Sequence, residues 1–108
     1  MSAPSANETW IIEAGDAVIQ KKVQEGIGSL TPLERLIYCV WVADYGMRNA
    51  GDLDTARDLY ADFQTEAARL ANDLSLKATR DAFELSTEDL RRQYFERFDA
   101  ICRELRYA

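Results

Sequence analysis

No histidine occurs among the 108 residues. Its absence removes the side chain that changes charge near neutral pH, and with it His-based triads, His general bases and most zinc or iron sites. Cysteine is scarce. Cys39 and Cys102 are the only two, too few and too far apart to build a structural zinc site alone. Both fall on apolar helical spacing, which reads as two small buried hydrophobes; nothing in their separation argues for a disulfide. Two prolines and five glycines leave few breaks in the chain, so long helices are expected. The longest uninterrupted apolar run, LIYCVWVA at residues 36–43, is too short to span a bilayer. The opening residues MSAPSANE carry neither a basic nor an apolar signal segment, so a reducing cytoplasm is the expected setting. No phosphate-cradling GxxxxGKS/T, no GxGxxG and no GxSxG occurs.

What is present is enough for one core. Apolar residues make up 47% and aromatics 10%, the composition of a folded domain rather than of an acidic disordered tail. Acids outnumber bases by 19 to 13, for a net charge of −6. A surface of that sign argues against direct binding to nucleic acid or an anionic membrane, both of which need basic residues. It suits a basic partner. The excess is not evenly spread: residues 52–66, DLDTARDLYADFQTE, hold five acids and one base, and so carry −4 of the −6.

Periodicity predicts an all-α fold, a single domain over residues 8–108 of four to five packed helices, after a flexible tail at 1–7. A first helix is expected from Glu8 to Glu25, capped by Asn7, with Ile12, Ile19 and Val23 near one face, Ile11 and Val18 flanking it, and glycines at its end. The second has the clearest start. In TPLE, Thr31 stands at the N-cap, Pro32 at the first helical position and Glu34 three residues on, a capping box. Leu33, Leu36, Ile37, Val40 and Trp41 follow as a stripe. From Leu53 to Leu74 apolar residues keep helical spacing for about six turns, which predicts one long third helix. A shorter helix over 76–85 and a last one opened by STED (Ser86 with Asp89) complete the set.

That third helix would display Asp54, Asp58, Asp62 and Glu66 at four-residue intervals. Helix-dipole capping accounts for Asp54 and for Asp58 in or near the first turn, and Glu66 has Arg69 at i+3. Asp62 has no base within reach along its own helix and an acid on either side. The run resembles a calcium loop at two positions only, because Arg57 stands where glycine is required and Phe63 where a bidentate Glu is required. A carboxylate enzyme would need one acid buried to raise its pKa. Asp44 is the candidate, by its spacing from Val40 and Ile37, against the alternative of an Asp bonded to an Arg or a helix end. The arginines of LRRQYFERFDAICRELR, residues 90–106, are expected to be neutralised along their own helix, through Glu88 with Arg92 and Asp99 with Arg103.

The segment LTPLERLIYCVWVADYGMRNAGD, the long helix after it and AFELSTEDLRRQYFERFD together resemble a small acidic bacterial domain family typified by a DNA-mimic protein of Neisseria. The matching residues are Leu30, Thr31, Glu34, Arg35, Tyr38, Trp41, Asn49 and Gly51. Ala50 and Asp52 depart from that family's Asn-Gly-Gly-aromatic turn. The resemblance covers residues 29–107, and its motifs are mostly caps and core. It implies an all-α fold and, for the best-known member, an acidic surface that binds a DNA-binding transcription factor in place of DNA.

The expectation is therefore a non-enzymatic interaction protein without cofactor or metal. Its acidic helix face, Asp54, Asp58, Asp62 and Glu66, would bind a basic protein such as a DNA-binding regulator. The alternative is a structural or self-associating helical domain, a homodimer for instance, whose acids only solubilise it.

Overall fold

The structure, a computed structural model, describes residues 5–108. Within them the chain is all-α, with no strand. Six helices follow one another: α1 (Ala6–Glu25), α2 (Pro32–Ala50), α3 (Asp54–Leu59), α4 (Phe63–Asp73), α5 (Lys77–Phe83) and α6 (Thr87–Arg106), with one 3-10 turn at Ile27–Ser29. Among the described residues, no helix is long and apolar enough to cross a membrane.

Helix α2 is the axis of the fold and packs against α1, α3, α4 and α6. Its run of apolar residues explains why: Leu36 to Val40, then Val42, Ala43 and Met47, are buried on more than one face. It begins at the expected capping box. Thr31 Oγ1 accepts from the Glu34 amide at 3.1 Å, and the Thr31 amide donates to Glu34 Oε1 at 2.8 Å. The same Glu34 oxygen accepts from Lys21 Nζ at 2.8 Å, so one carboxylate both caps α2 and ties it to α1. These two contacts hold the Glu34 carboxyl below its ordinary pKa. Helix α2 ends at Gly51, whose φ of 71° lies in the left-handed region that a Cβ disfavours.

Helix α1 departs from expectation at both its cap and its face. Ser5, not Asn7, accepts from the Glu8 amide, so Ala6 and Asn7 are helical. Of the proposed flexible tail, residues 1–4 lie outside the described residues. Asn7 instead bridges to α6, donating to Asp99 and accepting from Arg106, both at 2.9 Å. The buried face is Ile11, Gly15 and Val18, whereas Ile12 and Val23 are exposed. Gly15 is the reason. A Cβ there would fall 2.6 Å from Trp41 Cγ, so only glycine lets the indole lie against the α1 backbone.

The predicted long third helix is two helices. The chain leaves the helical path at Tyr60, with φ −153° and ψ 99°, and resumes it at Phe63. No Gly or Pro marks the break. Tertiary contacts do: Tyr60 rests against the Tyr38 ring at a centroid distance of 5.5 Å, and its hydroxyl donates to Glu66. Helix α5 packs between α4 and α6. Its free amides are capped from outside, since Glu104 of α6 accepts from Ala78 N at 2.8 Å and Thr79 N at 2.7 Å. At α6, Ser86 accepts from the Asp89 amide, while the Asp89 carboxylate pairs forward with Arg92 at 3.2 Å.

Candidate interaction surface

The break at Tyr60 takes the four acids out of one row. Asp54 and Asp58 keep a four-residue step, about 6 Å, on α3. Asp54 is exposed and pairs with Arg57 at 2.9 Å. Asp58 is exposed and, among the described residues, meets no base. It stands in the last turn of α3, not the first, because that helix is only six residues long. A negative charge at a helix C-terminus faces the carbonyl end of the dipole. Helix capping therefore does not account for Asp58.

Asp62 moves the other way. Its carbonyl accepts from the Glu66 amide at 2.9 Å, which makes it the residue that opens α4. Its exposed side chain forms no capping bond, but it sits at the end of the dipole that favours acids. The like-charge neighbours expected along one helix are no longer in one helix.

Glu66 leaves the surface altogether. It is 9% exposed, and Arg35 Nε donates to its Oε1 at 2.8 Å while the Tyr60 hydroxyl donates to Oε2. The expected Glu66–Arg69 pair is not formed; Arg69 turns to Asp73 at 3.6 Å. Burial and the facing Glu66 carboxylate push the Tyr60 phenol up to about 12, so it stays a donor. The sequence did contain a signal for this. Glu66 lies three residues after Phe63 and four before Leu70, on the buried stripe of α4 itself.

Asp44 is buried as its spacing suggests, and it is fully engaged. Tyr94 Oη donates to its Oδ1 at 2.7 Å, and Arg48 Nε reaches both carboxylate oxygens at 3.0 Å. The guanidinium of Arg48 lies over the rings of Phe95 and Phe98 and meets Glu8 at 3.6 Å. This is the arrangement of a satisfied buried carboxylate, the alternative weighed against a catalytic acid. On α6, Glu88 pairs with Arg91 rather than Arg92, and Asp99 receives Asn7 rather than Arg103. Cys39 and Cys102 are both buried and free.

Two concavities border these groups. A cleft of about 610 Å³ lies between the α2–α3 turn and the start of α6, with Asp52, Asp54 and Glu88 set among Arg57 and Arg91. A smaller one, about 220 Å³, lies between α1 and α2 beside Trp41, Asp44 and Tyr45. Among the described residues, no three Cys, Asp or Glu side chains converge as metal ligands would. No protein-family model, curated protein or solved structure matches the chain.

Proposed function

We propose that this chain is an interaction protein whose exposed aspartates, Asp54, Asp58 and Asp62, bind a basic partner at the surface where that partner holds DNA. The observation that carries this reading is Asp58. It is exposed, forms no ion pair among the described residues, and stands at the wrong end of its helix dipole. It belongs to the stretch that holds two-thirds of the net charge of −6, where Asp62 adds a second exposed carboxylate outside any ion pair. The resemblance of residues 29–107 to an acidic DNA-mimic family points the same way. Glu66 has no part in this face, because its carboxylate is spent on Arg35 and Tyr60.

The mimicry would be of charge rather than of spacing. Phosphates on one strand repeat every 3.4 Å or so along the axis, whereas Asp54 and Asp58 are about 6 Å apart and Asp62 lies past a bend. The experiment is capture from native extract with the parent protein and with Asp58→Asn plus Asp62→Asn, each eluted in a salt gradient and each challenged with duplex DNA. A DNA-binding protein should be retained by the parent, displaced by DNA and released from the variant at lower salt. Equal retention and equal salt dependence for parent and variant would overturn the reading.

A further inference from the structure

The cleft between α1 and α2 is built differently from the acidic face. Ile12 and Asp16 stand one turn apart on α1; Trp41 and Tyr45 stand one turn apart on α2. The two rings stack with centroids 5.4 Å apart and planes 27° apart. Ile12 is 49% exposed and Tyr45 44% exposed, so apolar and aromatic surface is left open at the rim. Three acceptors adjoin it. Asp16 is exposed and pairs with no base among the described residues. Asn49 donates its amide nitrogen to the Tyr45 carbonyl at 2.8 Å, which leaves its amide oxygen as an acceptor. Asp44 lies beneath them, buried.

The volume, about 220 Å³, falls below the roughly 300–1,000 Å³ of sites that take whole cofactors or drug-sized ligands. It suits one side chain. Charge decides which kind. Of the charged residues that line the cleft, Asp44 is paired with Arg48 and Asp16 is in no ion pair among the described residues, so the unbalanced charge is negative. Arg48 is not the occupant, because its guanidinium is held by Asp44 and Glu8 and rests on Phe95 and Phe98 of α6. A flat cation has the better match here, since it can stack on an aromatic face and donate from its edge to several acceptors at once.

We infer that the α1–α2 cleft is a socket for one arginine side chain of the basic partner, stacked on the exposed ring of Tyr45 beside Trp41, with its edge donating to Asp16 and Asn49. The inference rests on the reading of a basic partner and names the chemistry of its anchor. Asn49 and Asp54 are five residues apart, at most about 18 Å even if the chain were extended. The socket and Asp54, the first of the aspartates, are therefore close enough to fall within one interface.

Amide-resolved NMR of the whole protein, titrated with N-acetyl-arginine amide, tests the socket without any partner. The Trp41 indole N–H and the Asn49 side-chain amide should shift and saturate. Asp16→Asn and Tyr45→Ala, both at exposed positions, should each weaken binding roughly tenfold, equivalent to about 1.4 kcal/mol. Asp58→Asn plus Asp62→Asn should leave it unchanged. The socket is refuted by a titration that does not saturate. It is refuted equally by N-acetyl-lysine amide or N-acetyl-norleucine amide binding as tightly, or by either cleft variant binding like the parent. The two readings separate cleanly. Salt-sensitive capture of a partner without arginine binding removes the socket and keeps the acidic face; arginine binding with capture indifferent to Asp58 and Asp62 does the reverse.

Discussion

The residue with the most changed role is Glu66. A carboxylate counted with the surface row is instead the meeting point of Arg35 from α2 and Tyr60 from the bend. Each donor removes one lone pair's worth of desolvation cost, and bonds of this kind to a charged group contribute roughly 1.5–3 kcal/mol. Arg35 is a third exposed, so water can replace part of what it would lose, and the lower end applies. Glu66→Gln should therefore lower stability by about 1–2 kcal/mol, read as a shift in urea midpoint with an unchanged slope. Tyr60→Phe should cost about 1 kcal/mol, and the double variant should cost less than the two added, because the groups share one network. Additive losses would mean that Tyr60 and Glu66 act separately and that their bond does not hold the bend. Asp44 follows the same logic. Its partner Tyr94 is 50 residues away, and no spacing along the chain could have named it.

At the level of helices, what could be read from the sequence was what local chemistry controls. Thr31, Pro32 and Glu34 announce α2 because the cap is made within four residues. Ser86 announces α6 for the same reason. The all-α class followed from periodicity. The break at Tyr60 was illegible because the apolar spacing runs through it and neither Gly nor Pro interrupts it; contacts with Tyr38 and Glu66, distant or inward-facing, make it. That one break also decides the site. It moves Asp58 to a helix end that repels it, Asp62 to one that attracts it, and Glu66 inside. The cap of α1 shows a subtler failure, because Ser5 and Asn7 are both good caps in isolation. Asn7 is used across the fold, by Asp99 and Arg106. Ser5→Ala should cost about 1 kcal/mol and speed hydrogen exchange at the Glu8 amide, the donor it leaves unpaired. Asn7→Ala should leave Glu8 protected and cost less, since the bonds it loses are exposed. The opposite pattern at Glu8 would restore Asn7 as the cap.

For the whole molecule, surface and size agree with a chain that closes on itself. The accessible surface is 6065 Å², against about 6,100 Å² for a folded monomer of this mass. The radius of gyration is 12.8 Å, against about 13 Å for a domain of this length. The core side chains are buried within this one chain. That closed core also sets how the protein meets alkali. Burial pushes up the thiols of Cys39 and Cys102, the latter to about 12, and the phenols of Tyr94 and Tyr60, with the facing carboxylates of Asp44 and Glu66 adding to the phenol shifts. Unfolded, these groups lose protons at ordinary values of about 9 for the thiols and about 10 for the phenols. Between those values and the raised ones, the folded state binds more protons than the unfolded state, so stability falls as pH rises. Their contribution is intact below about pH 9 and is lost progressively as pH rises through the raised values. Urea midpoints measured across that range should be flat and then decline. Cys39→Ala plus Cys102→Ala lowers the plateau through the cavities it leaves, but it should also move the start of the decline from about 9 toward about 10, where only the phenols remain. A decline that starts at the same pH with and without the thiols would mean that some other group, not the buried cysteines, is the first to feel the base.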